Sequence, residues 1–285
     1  GDTFFELSGK VYERPGDDFG FPIIVDTTTM GSLLDSGDLT SIGGGGGAEL
    51  RFGSTGPRGE NWEIRSFLAN WSDVYGFEQD NLSSPLSPDL DPGEIDLTYD
   101  SQIFSLEFNF RKPVAPGIQF ITGPRIISLT EQIEFTTETI IPNPPFPDSQ
   151  VNSENNLEVD NTLLGGQIGA LINYPISRDI YVHGFIRAGG YANFMDLLAE
   201  GDTSLTDPTS ISLNRTDAAF VGETGGKIYY DVIPGIMAGF VGYEATWIDN
   251  VALAPTNATT LTPTEIVSGV TPFYHAITFG VNWRR

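Results

Sequence analysis

The sequence predicts an all-β fold, an antiparallel up-and-down transmembrane β-barrel of about ten strands, with twelve strands as the alternative. Three observations predict it. Apolar and polar residues alternate with a period of two along much of the 285 residues. Short and long connections alternate between the predicted strands, and the long connections are rich in acidic residues. Short turns on one side and long loops on the other are typical of bacterial transmembrane barrels.

The period of two is clearest between residues 180 and 194. The even-numbered positions there are all apolar or small, whereas the odd-numbered ones include His183, Arg187 and Asn193. A strand with one apolar and one polar face suits a wall between lipid and a lumen. Helical periodicity is weak, and its best short candidate is 195–200. We place ten strands near residues 3–13, 46–53, 60–73, 95–111, 117–136, 157–174, 179–195, 217–232, 235–248 and 272–284.

The connections between these strands fall into two classes. Short turns, each containing a proline, lie at 54–59, 112–116, 175–178 and 233–234. Long links rich in Ser, Thr, Asp, Pro and Gly lie at 14–45, 75–94, 138–156, 196–216 and 249–271. We therefore expect one barrel domain over residues 1–285, with short periplasmic turns and long extracellular loops.

The charge balance excludes several classes of function. Asp and Glu number 38 and Lys and Arg 14, so the net charge is −24. Such a chain repels phosphate, which argues against nucleic-acid binding. The five long links hold 19 carboxylates and only two basic residues, Arg14 and Arg215. The chain has no cysteine, which excludes disulfides and thiolate chemistry.

One stretch carries a family resemblance. This stretch is 220–255, which ends in Gly242-Tyr-Glu-Ala-Thr-Trp-Ile-Asp-Asn-Val-Ala-Leu-Ala-Pro255, and its Ala252-Leu-Ala-Pro255 is the specific part. The upstream segments Trp62-Glu-Ile-Arg-Ser-Phe and Asn161-Thr-Leu-Leu-Gly-Gly-Gln-Ile-Gly-Ala accompany it in order. This pattern resembles the penultimate hairpin and upstream strands of planctomycetal outer-membrane β-barrel (porin-like) proteins. The resemblance implies a barrel in a bacterial outer membrane whose main partner is lipid. It implies little about function.

If the apolar strand faces meet lipid, the opposite faces point inward and carry charges of both signs. Inside about ten strands, whose interior side chains nearly fill, these charges are expected to pair. One interpretation is a structural ion-pair network that fills the lumen, and the other is the charged constriction of a narrow pore. The predicted lumen charge network consists of Glu63, Arg65, Glu107, Arg111, Arg125, Glu131, Arg187, Glu223, Lys227 and Glu244.

The first long link, 14–45, contains more apolar residues than a free loop would expose to water. The segments 21–25 and 33–34 are apolar, and Gly43–Gly47 is a run of five glycines. We expect the link to fold into the lumen or onto the mouth as a constriction. Alternatively, it forms an extra hairpin and brings the strand count to twelve. The glycines would then serve as a hinge or as a tight passage for the backbone.

Metal and catalytic sites are the remaining candidates. Asp89, Asp91 and Glu94 cluster around a turn, and oxygen-rich loops of this kind suit Ca²⁺, although solvated acidic loops look the same. No other cofactor is expected.

His183 is expected in the lumen and His275 on the lipid side, where Ile277 takes the place of a hydroxyl partner. The sequence therefore predicts a protein that is not an enzyme.

Two functions remain open. The leading hypothesis is a porin-like role, the passive and weakly cation-favouring passage of ions or small solutes through a narrow charged lumen. The alternative is a non-conducting structural or adhesive barrel that presents acidic loops to surface-layer or envelope partners. Both place the protein in a bacterial outer membrane.

Overall fold

The structure, a computed structural model, describes residues 2–16, 20–56, 61–78, 82–84, 86, 93–141, 149–204, 206–258 and 263–285. Almost all of this chain is β-strand, interrupted by two short helices, α1 (Ser36–Thr40) and α2 (Ala254–Asn257). No helix in the described part of the chain is long and apolar enough to cross a membrane. The strands are β1 (Asp2–Arg14), β2 (Pro22–Asp26), β3 (Gly31–Asp35), β4 (Ile42–Thr55), β5 (Asn61–Glu78), β6 (Leu82–Ser83), β7 (Glu94–Ala115), β8 (Ile118–Ile141), β9 (Ser149–Pro175), β10 (Ile180–Thr203), β11 (Thr206–Ile233), β12 (Met237–Asp249) and β13 (Phe273–Arg284).

Ten of these strands close into a barrel in the order β1-β13-β12-β11-β10-β9-β8-β7-β5-β4, with β4 pairing back to β1. All neighbours are antiparallel, so the predicted up-and-down barrel is confirmed. The twelve-strand alternative is wrong. The strands β2 and β3 pair with β6 in a separate three-stranded sheet and do not enter the wall.

The strands β8 to β11 are much longer than a membrane requires. They contain 24 to 28 residues, whereas a tilted spanning strand needs about 9–11. The predicted long links 138–156 and 196–216 are therefore mostly strand, and the sequence placed the strand ends too early. Outward side chains become polar there, but the inward ones stay buried. They include the apolar Val151, Leu197 and Ala199 as well as the polar Ser153 and Asn155.

The short helical candidate at 195–200 is likewise strand. This segment lies within β10, and its odd-numbered residues Met195, Leu197 and Ala199 all point to the interior and are buried. A period of two with every second residue buried is the pattern of a strand. The intervening residues Asp196 and Glu200 are exposed on the outer face.

The outer wall near the short turns is apolar. On β9, Leu164, Ile168 and Ile172 are each more than half exposed, and the same holds for Ile228 and Val232 on β11. Large apolar side chains covering a closed wall are the surface that a hydrocarbon layer requires. The exposed Tyr174 and Tyr230 lie at the short-turn ends of these strands, where aromatic residues meet the interface.

The barrel interior near the long loops is filled by a hydrophobic core. Two segments, 20–41 and 250–258, fold into it, and we call them the plug. Ile23 and Leu39 of the first segment and Leu253 of the second are completely buried and share one cluster with the inward wall residues Leu129 and Val159. The helices α1 and α2 contact each other within this cluster. Ile23, Ile24 and Leu34 of the first long link thus lie inside the structure and away from water, whereas Leu33 is exposed.

The glycine run leads from this plug into the wall. Gly44 has a φ of +80°, a conformation that glycine adopts without strain. A Cβ atom at Gly45 would lie 1.7 Å from Nε1 of Trp71, so no larger residue fits without moving the indole. The backbone passes tightly against the tryptophan, which favours the tight-passage interpretation over the hinge.

A charge on the apolar outer wall tests its orientation. We expect Ile168→Arg to reduce the free energy of unfolding in lipid vesicles by about 2–4 kcal/mol, because the residue faces the hydrocarbon. The control is Asn156→Arg, an outward position on the same strand beyond the apolar belt, with an expected change within about 0.5 kcal/mol. Denaturant titration followed by heat-modifiable gel mobility measures both. Equal stability of the two variants would contradict a lipid-facing wall.

Candidate functional site in the barrel lumen

The inward faces of the barrel wall carry a dense set of charged side chains. All ten residues of the predicted lumen charge network lie on these faces, nine of them buried and Arg111 partly buried. Five further charged residues, outside the predicted network, are buried on the inward faces of the structure, namely Glu6, Lys10, Arg14, Glu49 and Arg51. The alternation of β1 carries the missed signal, because its even positions are polar from Glu6 to Arg14 while Leu7 and Val11 face outward.

Glu107 is one centre of the network. Its carboxylate accepts hydrogen bonds from Arg65 at 2.8 Å and from Arg187 at 2.7 Å. Register places Arg65 and Arg125 directly beside it on the neighbouring strands. The side chains of Asn109 and Gln167 each donate to the same carboxylate at 2.8 Å. A buried carboxylate with this many donors is fully satisfied.

Glu223 extends the network across the lumen. It lies on β11, opposite β5 in the ring of strands. Its carboxylate oxygens lie 2.8 Å from Arg125, 3.3 Å from Arg187 and 3.4 Å from Arg65. Side chains from distant strands therefore contact one another in the middle of the lumen and hold those strands together.

A second group of pairs surrounds the lysines. Lys10 lies 2.6 Å from both Glu49 and Glu244. Lys227 lies 3.3 Å from Glu244 and 3.1 Å from Glu6, and Glu49 also pairs with Arg65 at 2.7 Å. The two groups are thus joined through Arg65. All these side chains are at least about nine-tenths buried.

The network leaves almost no free space in the middle of the lumen. The cavity between its side chains, bordered by Glu49, Arg65, Arg187 and Lys227, measures ≈ 10 Å³. This is room for about one water molecule. Within the described residues, the lumen contains no open passage at this level.

Glu131 lies one layer closer to the long loops than the rest of the predicted network. It pairs with Arg14 at 2.5 Å and accepts the backbone N–H of Ala254, in the plug, at 3.0 Å. Arg14 in turn donates to the carbonyl oxygen of Thr40 in the other plug segment at 2.8 Å. Glu131 therefore anchors the plug and lies outside the central ion-pair network.

Asn161 gives the plug a second anchor. Its side chain donates to the carbonyl oxygen of Ala252 at 2.7 Å and accepts from the N–H of the same residue at 2.9 Å. This pair of bonds imitates strand pairing and fixes the backbone of the second plug segment to the inner wall. The lumen is therefore closed twice, by the ion pairs near the short turns and by the plug near the long loops.

The calcium candidates are only partly within the structure. Asp89 and Asp91 lie outside the described residues. Glu94 is exposed at the start of β7, opposite Glu138 of β8. Among the described residues, no group of three or more His, Asp or Glu side chains has the geometry to hold a metal ion.

The two histidines lie on opposite faces of the wall. His183 is buried in the lumen near the short turns, and its ring lies 6.4 Å from that of Tyr229. His275 lies on the outer face between the rings of Tyr243 and Phe273, each 5.9 Å away. Its Nε2 is 3.7 Å from Glu13. Both histidines thus occupy the faces that the alternation predicts.

The outer face of the strand extensions beyond the apolar belt is acidic. Asp160 of β9 lies opposite Asp196 of β10 in register, and Glu158 and Glu200 lie close by on the same face. Burial, together with the neighbouring carboxylates of Asp160 and Glu200, raises the pKa of Glu158 above its usual value. These four residues form what we call the acidic wall.

A closed antiparallel barrel with an apolar outer belt and a charged, hydrogen-bonded interior defines the class of transmembrane β-barrels. The chain therefore has the fold of an outer-membrane-type transmembrane β-barrel. By sequence it matches no family profile and no curated protein.

Three solved structures are similar to the chain at low sequence identity. The chain is similar to the outer membrane protease OmpT from Escherichia coli, with 10% identity over 100% of this chain and 96% of that chain, at a TM-score of 0.43. It is similar to the translocator domain of the autotransporter NalP from Neisseria meningitidis, with 11% identity over 99% and 88% of the two chains, at a TM-score of 0.42. It is also similar to the attachment invasion locus protein Ail of Yersinia pestis, with 11% identity over 100% and 99%, at a TM-score of 0.29.

Neutralising the centre of the network tests its structural role. We expect Glu107→Gln to reduce the free energy of unfolding by about 3–5 kcal/mol, because the buried guanidinium groups of Arg65 and Arg187 lose their counter-charge. Glu94→Gln on the same strand is the control, since Glu94 is exposed, and its expected change is within about 0.5 kcal/mol. Denaturant titration in detergent micelles measures both. A Glu107→Gln variant as stable as the control would contradict a stabilising network.

Proposed function

We propose that this protein is a non-conducting outer-membrane barrel that holds an acidic surface outside the cell. The observation that carries the proposal is the filled lumen, with a central cavity of ≈ 10 Å³ among the ion pairs and a hydrophobic plug above it. A hydrated ion needs a continuous wet path, and neither layer offers one. Ion passage, as the porin-like hypothesis predicts, would require both the ion pairs and the plug to move.

The sequence motif that carries the family resemblance lies in the plug. Ala252, Leu253 and Ala254, the specific part of the resembling motif, are each completely buried in the plug. Small side chains there let the backbone lie close to Asn161 and Glu131. Membership of the planctomycetal porin-like family remains part of this proposal, with the motif serving to close the lumen.

Single-channel recording in a planar bilayer tests the closed lumen. We expect the wild-type protein to give no discrete conductance steps, because the ion pairs and the plug both block the path. Heat-modifiable mobility of the same sample must show that it is folded. The matched variants are a deletion of residues 22–35, which removes β2 and β3, and Glu107→Gln, which loosens the ion pairs.

Steps in the wild type would contradict the proposal and support the porin-like alternative. If those steps grew with the deletion and lost cation selectivity with Glu107→Gln, the pore would be constricted by both elements. Steps only in the deletion would agree with a closed native barrel and would assign its closure to the plug.

The acidic wall is the surface that we propose for partner contact. Its carboxylates lie close together, with Asp160 opposite Asp196 in register, so a cationic partner would relieve their repulsion. The long strands β8 to β11 hold it well beyond the apolar belt. Envelope or surface-layer components with positive charge, or components bridged by Ca²⁺, fit this surface.

Binding of a hexalysine peptide tests the acidic wall. We expect a variant with Glu158→Gln, Asp160→Asn, Asp196→Asn and Glu200→Gln to bind the peptide several-fold more weakly at low ionic strength, because close charges act within a Debye length of about 10 Å. The control has the same net charge and neutralises four scattered, exposed carboxylates, Glu13, Asp207, Asp249 and Glu265. Calorimetric titration measures both, and equal weakening would show that only net charge matters.

A further inference from the structure

A cavity of ≈ 440 Å³ opens at the short-turn end of the barrel, below the ion-pair network. This volume lies within the range of pockets that bind small molecules. Its described lining includes the side chains of four arginines and no Asp or Glu. We call it the vestibule, and its arginines are Arg51, Arg111, Arg284 and Arg285.

The lumen network carries an excess of positive charge at the vestibule. Within the described residues it joins seven cations to six carboxylates, so one positive charge lacks a counter-charge. Arg51 and Arg111 share one oxygen of Glu63, with Arg51 at 2.8 Å. The surplus therefore lies beside the cavity, although the whole chain has a net charge of −24. The seven cations are Lys10, Arg51, Arg65, Arg111, Arg125, Arg187 and Lys227, and the six carboxylates are Glu6, Glu49, Glu63, Glu107, Glu223 and Glu244.

Two polar atoms of the vestibule lining lack a hydrogen-bond partner in the described structure. They are Nε of Arg111 and the hydroxyl of Tyr181, and both are shielded from solvent. Buried donors without an acceptor are costly, so each of these atoms would be stabilised by a ligand that brings an acceptor. An oxygen of a carboxylate or phosphate group would supply that acceptor together with the missing negative charge.

The groups around these atoms are held in place. The ring of Tyr181 stacks on that of Tyr229 at 4.7 Å with an interplanar angle of 8°. The guanidinium of Arg284 lies 4.9 Å from the Tyr181 ring centroid, and that of Arg111 lies 6.0 Å from the ring of Phe4. Fixed arginines beside aromatic faces form a preorganised site for an anion with an organic body.

We propose that the vestibule binds a small organic anion that carries a carboxylate or phosphate group. Short turns face the periplasm in barrels of this class, so the ligand comes from that side. The nearly filled network closes the inner end of the vestibule, and the anion is therefore retained there and does not pass through. This binding is independent of the conductance result.

Calorimetric titration of the folded protein in zwitterionic detergent and low-salt buffer tests the site. The two probes are succinate for the carboxylate class and inorganic phosphate for the phosphate class. Arg284→Gln removes a vestibule charge, and Tyr181→Phe removes only the unpartnered hydroxyl. Arg178→Gln is the matched control, because Arg178 is exposed on a turn at the same end and does not line the cavity. Arg111 is left unchanged because it pairs with Glu63.

We expect at least one probe to bind saturably, and the tighter of the two identifies the ligand class. The affinity should fall about tenfold in Arg284→Gln and a few-fold in Tyr181→Phe, and it should be unchanged in Arg178→Gln. Absence of saturable binding up to about 10 mM would overturn the proposal. Equal weakening by Arg284→Gln and Arg178→Gln, or unchanged binding by Tyr181→Phe, would overturn it as well. Heat-modifiable mobility confirms that each variant is folded.

Discussion

Pairing of buried charges inside the barrel is the interaction on which the rest of the structure depends. A wall that exposes apolar side chains to lipid must turn its polar side chains inward. In a barrel of ten strands these side chains are too close together to be separately hydrated. Glu107 and Glu223 therefore form ion pairs with guanidinium groups from several strands. The pairs hold distant strands at fixed separations, as a core does in a soluble protein.

The plug buries the apolar part of the same inner wall. The extended strands keep their alternation above the membrane, where both faces would otherwise meet water. Their inward apolar side chains, such as Leu129, Val159 and Leu197, need a partner to bury them. The segments 20–41 and 250–258 provide it, and Arg14, Glu131 and Asn161 fix their backbones. Closing the lumen thus follows from completing the core.

The sequence predicts the wall well because its main signal is local. A period of two determines which face each residue occupies, and it predicts Glu63, Arg187 and Glu223 on the lumen face, where the structure buries them. The same rule would have found Lys10 and Glu49. It could not show that Glu131 lies in a separate layer, because height along the axis depends on the stagger between strands. Nor could it find the strand extensions, since their outward faces resemble loops in composition.

The two ends of the barrel carry opposite charge because the interior differs between them. Near the long loops the interior is apolar, so the many acidic residues of that end lie outside, where they remain solvated. Near the short turns the interior holds the ion pairs, and the surplus cation lies at their open edge beside Arg111. A net charge of −24 is therefore distributed unevenly, with an acidic outer surface and a basic inner recess. Any molecule that binds this barrel meets one sign of charge at the long-loop end and the other at the short-turn end.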